Sequence, residues 1–420
     1  MGEYLLSVAV NEEKCTGCMK CMRKCPTEAI RIHKGKARVM EDRCVDCAEC
    51  MRVCPNRAWV ARTYPLTSLS RFKYNIALPS PALYGQFSRD ILPNTILKGL
   101  KELPFDDVYD VTLACEFYGV VLKEFFDHYR DRRPAISSVC PVVVKLIQVK
   151  FPDLTDLLVP LETPRGIAAM DIKSRKSREL GIKYEDIGAI YIAPCPAKII
   201  PIVQPQCKEV SPLDAAVSIA DIYGLLLSAM RKVTNKKEEL HLSGGSGISW
   251  AITGGATQSL GIENCLAVDG IDNVIEVLEH LEDEKLNGIK YLELRACPGG
   301  CVGGALNVDN HFLARNKILM LIKMFEDRKP LDREKVNELY RQQFFTCDIK
   351  PKPLPMEPLD RDTMRAIQKV KERDKIFETL PRIDCGACGA PTCRSLAEDI
   401  VQGRAAITDC IFKLLEKGKA

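Results

Sequence analysis

Most of the twenty cysteines in this 420-residue chain fall into short clusters, and this clustering constrains the fold more than any other feature. One run, Cys15, Cys18, Cys21 and Cys25 followed by proline, recurs as Cys44, Cys47, Cys50 and Cys54 followed by proline. Clustered cysteines in a long chain are typical of metal sites, whereas disulfide scaffolds are short. The repeat therefore predicts an amino-terminal segment built around bound metal.

The spacing of this repeat is that of bacterial ferredoxins with two [4Fe–4S] clusters, in which the fourth cysteine of each run binds the other cluster. We therefore expect Cys15, Cys18, Cys21 and Cys54 to hold one cluster. The second cluster is expected on Cys44, Cys47, Cys50 and Cys25. Residues 1–65 are predicted to form this α+β ferredoxin-like domain.

Strand-like and helix-like segments alternate over residues 70–347, which predicts an α/β domain with parallel sheet. The predicted strands are 74–78, 108–113, 134–138, 187–192 and 291–294, and the predicted helices include 118–130, 213–233 and 271–281. Ligands of such sheets bind at the carboxyl ends of strands. Cys140, Cys195 and the pair Cys297 and Cys301 follow three of these predicted strands, so their thiols are expected to converge on one cluster.

Cys297 and Cys301 lie in a glycine-rich turn after an alternating run that ends at Arg295. Proline and glycine disfavour a helix here, and glycine lets the backbone approach a bulky group closely. Two thiolates in one turn suit an iron–sulfur cluster. The alternative is a pair of buried structural cysteines.

A second cysteine-rich segment lies at the carboxyl end. Residues 348–375 are predicted to be a proline-rich linker and a helix, and residues 376–420 a small helical iron–sulfur domain. Cys385, Cys388, Cys393 and Cys410 predict a third [4Fe–4S] site there, with zinc as the alternative.

Charge and hydropathy exclude several classes of partner. The net charge is only +4 and basic residues are mixed with acids, so no nucleic-acid partner is expected. No apolar run has membrane-spanning length and no signal peptide is recognised, so we expect no membrane association and a reducing cytoplasm.

Three central segments resemble signatures of the catalytic domain of [FeFe] hydrogenases. The family's T-S-C-C-P corresponds to residues 137–141, its M-P-C-x-x-K to 193–198, and its E-x-M-A-C-x-x-G-C-x-x-G-G to 293–304. Residues 246–255 are a looser match. The resemblance implies two lobes of mainly parallel sheet flanked by helices, with a cluster in the cleft.

The resemblance also implies the family's cofactor, the H-cluster. Cys140, Cys195 and Cys297 would hold its [4Fe–4S] cube, and Cys301 would bridge to a two-iron unit that carries CO, cyanide and an azadithiolate. Lys198 matches a lysine that donates a charge-assisted hydrogen bond to cyanide, with a solvated surface lysine as the alternative. Further positions expected beside the cofactor are Ser138, Pro194, Arg295 and Gly303.

The implied activity is the interconversion of protons and H₂, with electrons arriving through the ferredoxin-type clusters. The implied partners are ferredoxin or another redox protein and the H-cluster maturation proteins. Because the end domains are similar to those of branches to which a sensory role is ascribed, slow turnover, hydrogen sensing and a signalling partner are also expected.

Several residues depart from the family pattern. Val139 stands where the proton-relaying cysteine is expected, and Ala193 and Arg295 replace methionines. Glu116, together with Cys115, is the candidate for a substitute proton path. The alternative function is a hydrogenase-like electron-transfer or scaffold protein that lacks the two-iron unit. Glu293 is expected to pair with Arg295 or to act at the site. Cys115, Cys207, Cys265 and Cys347 are otherwise predicted to be small buried residues.

Overall fold

The computed structural model describes residues 6–233, 237–328, 333–341, 343–354 and 356–417. The chain divides into two compact units. The first combines Met1–Ala61 with Pro353–Ala420, and the second is Arg62–Lys352. The predicted division into four consecutive segments stays a prediction, but its first and last segments share one unit.

The strands of the described residues, in chain order, are β1 (Val8–Val10), β2 (Ile30–His33), β3 (Lys36–Val39), β4 (Trp59–Ala61), β5 (Tyr74–Pro79), β6 (Asp107–Val108), β7 (Ala135–Ile136), β8 (Ile187–Ala193), β9 (Ala215–Ser218), β10 (Cys265–Asp269) and β11 (Tyr291–Arg295).

The α-helices are α1 (Lys20–Lys24), α2 (Glu49–Val53), α3 (Pro93–Lys101), α4 (Val111–His128), α5 (Pro141–Lys150), α6 (Pro164–Leu180), α7 (Ile200–Val203), α8 (Ile219–Met230), α9 (Gly245–Ser249), α10 (Gly255–Leu260), α11 (Ile271–Glu282), α12 (His311–Met324), α13 (Arg333–Arg341), α14 (Thr363–Thr379), α15 (Cys393–Val401) and α16 (Ile411–Lys417). Within the described part of the chain, none of them is long and apolar enough to span a membrane.

The second unit contains two parallel sheets, as the α/β prediction required. One has the strand order β6-β5-β8-β9 and the other β10-β11-β7. Every residue of β8 is buried, which is usual for a parallel strand covered on both faces. Two lobes of parallel sheet flanked by helices are thereby confirmed.

Two of the predicted elements are wrong in their type or extent. The strand predicted at 108–113 ends at Val108, because the Asp110 side chain accepts a hydrogen bond from Thr112 N and starts α4. The helix predicted at 213–233 begins only at Ile219, after β9, where Ser218 accepts from Asp221 N. In both segments a capping side chain, rather than apolar periodicity, determines where the helix begins.

The strand ends bring the central cysteines together from both sheets. Cys195 follows β8 of the four-stranded sheet, while Cys140 and Cys297 follow β7 and β11 of the three-stranded sheet. β7 and β11 are adjacent and parallel, and Ser137 N donates to Leu292 O over 3.0 Å. The loops of Cys140 and Cys297 therefore leave the same edge of one sheet.

In the first unit, the segment with the cysteine repeat contains two small antiparallel sheets, β1–β4 and β2–β3. Met19 and Ala48, one residue before α1 and α2, both have left-handed backbone angles, with φ of 63° and 61°. The two halves of the sequence repeat therefore adopt the same local conformation, which agrees with the ferredoxin-like prediction.

Candidate metal centre

The glycine-rich turn after β11 packs directly on the loop that carries Cys195. A Cβ atom on Gly304 would lie 2.2 Å from Pro194 O, and Leu306 N donates to the same oxygen over 2.9 Å. A Cβ on Gly303 would lie 2.0 Å from Pro298 O inside the turn. Gly304 and Pro194 thus position the two cysteine loops against each other, and Gly303 allows the turn itself to close.

Residues 246–255, which match the family more loosely, also pack against this turn. Gly300 has φ of +94°, and a Cβ there would lie 2.7 Å from Thr253 N. Val302 N donates to Ala251 O and Thr253 N donates to Gly299 O. Glycine is required at this position both by the backbone conformation and by the close approach.

The four central thiols share one buried region. Burial raises the pKa of Cys195 to about 12, and Lys198 opposes this rise. The thiols of Cys297, Cys301 and Cys140 raise it further, so all of them lie within electrostatic range of Cys195. The structure therefore brings together the four residues that the sequence placed after three separate strands.

Cys301 differs from Cys195 because basic side chains surround it. Burial by itself would raise the pKa of Cys301, but Lys198, Arg295 and Arg165 hold it below its ordinary value. All three cations are buried, with relative exposures of 4%, 3% and 5%. The site thus favours a negatively charged sulfur at Cys301.

Lys198 is buried, so the alternative of a solvated surface lysine is wrong. Burial lowers the pKa of Lys198, but Tyr191 and Cys301 more than offset this and raise it above its ordinary value. Its Nζ lies 5.8 Å from the centre of the Tyr191 ring. Lys198 is accordingly held as an ammonium next to Cys301.

Arg295 pairs with Glu293 and also faces the thiols. Its Nε donates to Glu293 Oε1 over 3.3 Å, and its Nη1 lies 3.8 Å from Cys301 Sγ. Its Nη2 is buried and has no hydrogen-bond partner within the described chain. Glu293 also accepts from Gly254 N and Thr257 N, so its charge is shared with the backbone.

Residues near Cys140 anchor its loop. Val139 is 5% exposed, and its carbonyl accepts from Arg165 Nη1 over 3.3 Å. Ser138 Oγ donates to Val159 O over 2.9 Å. Arg165 was not singled out from the sequence, where nothing distinguishes it from other arginines near a helix start.

Glu116 lies on α4 and is hydrogen-bonded to the segment of residues 244–246. Its Oε1 accepts from Gly244 N over 2.9 Å and from the exposed Ser246 hydroxyl over 2.6 Å. Cys115, the preceding residue, is buried, and burial raises the pKa of its thiol well above the ordinary value. Arg295 and Cys301 are both within electrostatic range of this thiol.

One group of ferredoxin-type cysteines crosses between the two runs. Cys25 lines one apolar cavity together with Cys44, Cys47 and Cys50. Burial and neighbouring thiols, Cys25 among them, raise the pKa of Cys47 well above its ordinary value. Cys21 has Cys15 and Cys18 as its neighbouring thiols. The fourth cysteines of the two runs are placed alike, since Cys54 Sγ accepts a hydrogen bond from Ala58 N and Cys25 Sγ accepts one from Ala29 N.

The tail cysteines form a separate group. Burial raises the pKa of Cys388, and Cys385 and Cys410 are the thiols that add to the rise. Cys393 starts α15, and its N–H donates to Asp384 over 2.6 Å. Among the described residues, no three His, Cys, Asp or Glu side chains are grouped tightly enough for a single metal ion.

The residues present fit the cofactors that the sequence implied. Groups of thiols in buried pockets suit iron–sulfur clusters. At the central site the three buried cations and the unpaired Arg295 nitrogen suit an anionic group attached at Cys301.

Cys207 and Cys347 form a disulfide, whereas the sequence analysis predicted two small buried residues. They are 140 residues apart, and Lys208 adds bonds to Thr346 O and Asp348 beside them. Cys115 is buried as predicted, whereas Cys265 is only partly buried.

Comparison with known proteins identifies all three cysteine regions. Residues 73–265 and 256–305 match the family model described as iron only hydrogenase large subunit, C-terminal domain. Residues 8–60 match a 4Fe-4S dicluster domain, and residues 380–412 match an Fe-S cluster family. These matches therefore support iron–sulfur clusters as cofactors.

Two curated relatives are similar over much of the chain. The NADP-reducing hydrogenase subunit HndD of Solidesulfovibrio fructosivorans is 23% identical over 358 residues, which cover 69% of this chain and 55% of that protein. The periplasmic [Fe] hydrogenase large subunit of Nitratidesulfovibrio vulgaris is 25% identical over 362 residues, which cover 71% of this chain and 85% of that protein. The match thus spans about half the length of the first relative.

Solved structures show the same fold. A variant of the [FeFe]-hydrogenase HydA1 from Chlamydomonas reinhardtii aligns with a TM-score of 0.53 at 14% identity, covering 69% of this chain and 98% of that one. A HydA structure that concerns stepwise H-cluster assembly aligns with a TM-score of 0.51, also at 14% identity and with the same coverage.

Proposed function

Because this chain belongs to the iron-only hydrogenase large-subunit family, we propose that it interconverts protons and hydrogen, 2H⁺ + 2e⁻ ⇌ H₂, at the central thiol site. That the chain is an iron–sulfur oxidoreductase of the hydrogenase family rests on the family match itself. The hydrogen chemistry is our proposal.

The observation that carries the proposal is the setting of Cys301. It is a partly buried cysteine held towards its thiolate by the buried side chains of Lys198, Arg295 and Arg165, beside three further thiols. In this proposal Cys140, Cys195, Cys297 and Cys301 would hold the cofactor, with Cys301 as the thiolate nearest to the buried cations. When bound, its two-iron unit supplies the metal at which H–H bonds are made or broken.

The remaining residues bind the cofactor, orient the cysteine loops or take part in proton transfer. Lys198 donates a charge-assisted hydrogen bond to an anionic ligand of the cofactor, because it is a buried ammonium near Cys301. Val139 cannot carry a proton. Glu116 is the proposed group on the solvent side, since it accepts from the exposed Ser246 and directly follows the buried Cys115. Ser138 holds the Cys140 loop, Gly303 lets the Cys301 turn fold closely on Pro298, and Pro194 contacts this turn at Gly304.

We further propose that the electrons come from ferredoxin or another redox protein and that maturation proteins install the two-iron unit. Slow turnover follows from the missing relay group at Val139 and suits a hydrogen-sensing role with a signalling partner. A cytoplasmic location remains part of this proposal.

A second candidate is an electron-transfer or scaffold protein without the two-iron unit. Val139 favours it, because this apolar side chain lies at 5% exposure next to Cys140, where the family has its acid–base group.

Infrared spectroscopy of anaerobically matured protein separates these candidates. We expect bands of metal-bound CO and cyanide, and we expect Cys301→Ser to lose them while keeping the iron of the other clusters. A control hydrogenase matured under the same conditions shows by its activity that maturation works. If this protein then shows no such bands, the first candidate is excluded and the second is favoured.

A further inference from the structure

The tail segment and the cysteine repeat meet at their cluster-binding loops within the first unit. Arg23, in α1, donates from Nη2 to Cys385 O over 2.8 Å. Ile32 N, in β2, donates to Gly389 O over 2.8 Å. The turn that carries Cys385 and Cys388 is therefore hydrogen-bonded to the repeat at both of its ends.

Glycines make the approach between these loops unusually close. Gly386 has φ of +74°, and a Cβ there would lie 2.9 Å from Met22 Cε and 3.7 Å from Met19 Sδ. A Cβ on Gly389 would lie 2.0 Å from Ile32 O. A side chain at Gly389 would collide with the backbone of Ile32 and force the loops apart, whereas at Gly386 the left-handed backbone favours glycine.

The contacting methionines belong to the first predicted ferredoxin cluster. Met22 directly follows Cys21, Met19 directly follows Cys18, and Met22 is fully buried. On the other side, Gly386 directly follows Cys385. One van der Waals contact thus separates residues that are bonded to ligands of two different predicted clusters.

Buried polar contacts fix the orientation of α15 on the repeat. Arg31 donates from Nε to Asp399 Oδ2 over 2.5 Å and from Nη2 to Oδ1 over 3.4 Å. These two side chains are only 13% and 8% exposed. Arg43 pairs with Glu398, and Ser395 donates to Glu28. Charge-assisted bonds of a forked guanidinium at low exposure hold a specific geometry, which a loosely tethered module would not need.

We propose that the tail cluster, held by Cys385, Cys388, Cys393 and Cys410, is the electron-transfer partner of the first ferredoxin cluster, held by Cys15, Cys18, Cys21 and Cys54. The close approach of Met22 to Gly386 and the hydrogen bond from Arg23 to Cys385 O link the two sites. One electron passes per step: a reduced [4Fe–4S]⁺ tail cluster becomes [4Fe–4S]²⁺ while the ferredoxin cluster goes from 2+ to 1+, with no bond or proton changed. The inference rests on the cluster content of the proposed function and not on its hydrogen chemistry.

Electron paramagnetic resonance of the full-length protein tests this pairing without the two-iron unit. Iron–sulfur clusters are reconstituted, dithionite supplies the electrons, and spectra are recorded at graded reduction. We expect spin–spin broadening of the ferredoxin signals when the tail cluster is also reduced. Cys393→Ser should remove one cluster's worth of iron and abolish this broadening. Spectra of the wild type that equal the sum of isolated cluster signals would overturn the proposal.

A double variant tests whether the buried pairs set the geometry. Glu398→Ala with Asp399→Ala should retain the iron of all clusters but lose most of the broadening. The matched control, Glu372→Ala with Glu378→Ala, removes the same charge from exposed positions of α14 and should leave the spectrum unchanged. If the broadening in Cys393→Ser equals that of the wild type, the coupling belongs to the two ferredoxin clusters and the pairing is overturned. Missing infrared bands at the central site would bear on the hydrogenase proposal alone.

Discussion

Arg295 combines three properties that rarely occur in one side chain. It is buried, it shares a carboxylate that already accepts two backbone N–H groups, and one of its nitrogens is unpaired within the described residues. Family members carry methionine in its place according to the resemblance in sequence. A fixed positive charge next to the thiols stabilises the more electron-rich states of whatever cluster they hold.

We therefore predict that Arg295→Met makes the midpoint potential of the central [4Fe–4S] cluster more negative. A charge at an effective dielectric constant of about 20 contributes on the order of 1–2 kcal/mol, or about 50–90 mV for a one-electron couple. Potentiometric titration of reconstituted protein measures the shift. Arg295→Lys keeps the charge and should shift the potential less. Equal potentials for wild type and Arg295→Met would remove Arg295 from this role.

Val139 gives the second prediction for a single residue. Its side chain is buried beside Cys140 and cannot donate or accept a proton, and a well-placed acid–base group is worth about 10²–10⁴-fold in rate. Val139→Cys has similar volume and should raise hydrogen turnover of matured protein, measured by gas chromatography. Val139→Ala, which adds no proton carrier, is the control. If turnover stays the same in protein with full infrared bands, proton delivery at this point does not limit the rate.

Among the structural elements, the turn after β11 determines how the central cysteines meet. Gly304 lies on Pro194, so the packing of this turn on the end of β8 fixes the position of Cys301 relative to Cys195. The interaction joins strands of two different sheets, which no local pattern could have revealed.

Gly304→Ala should displace this turn, because the new Cβ would lie 2.2 Å from a backbone oxygen. We expect the central cluster to be lost while the clusters of the first unit remain, as measured by iron content and electron paramagnetic resonance. Gly224→Ala is the matched control, since nothing lies within 4 Å of the Cβ that it would add. A full cluster complement in Gly304→Ala would show that the turn tolerates this shift.

The disulfide between Cys207 and Cys347 links two loops of the second unit across 140 residues. Closing so long a loop stabilises a folded protein by about 2–5 kcal/mol. Cys207→Ser should therefore lower the melting temperature of oxidised protein, with Cys265→Ser as control. Non-reducing peptide mapping checks that the bond forms. An unchanged melting temperature in protein shown to carry the bond would contradict its structural role.

For the whole molecule, the prediction concerns how cofactors divide between the two units. Sixteen cysteines are assigned to four cubes, three in the first unit and one in the second. Reconstituted protein should contain close to sixteen iron atoms per chain, as four [4Fe–4S] clusters require. Cys140→Ser should affect only the central cluster, and Cys393→Ser only the tail cluster. Iron for two clusters alone would contradict both the central and the tail assignments.

The sequence by itself determined the character of each cysteine region and the fold class. Cysteine spacing is dictated by the size of the bound cluster, so a repeat such as 15–54 can be read locally. The alternation of strands and helices likewise predicted parallel sheets, and the structure has two of them. Helix starts were misplaced where a capping residue such as Asp110 outweighed apolar periodicity.

Only the tertiary structure decided which residues face one another across long sequence distances. The cations Lys198, Arg295 and Arg165 surround Cys301, the disulfide joins Cys207 to Cys347, and the tail packs on the cysteine repeat although more than 300 residues separate Arg31 from Asp399. The physical reason is that such contacts depend on the burial and desolvation of particular side chains, and these arise only when separate elements pack together. A local pattern records what a segment can bind, whereas the packed chain determines the charge that surrounds it.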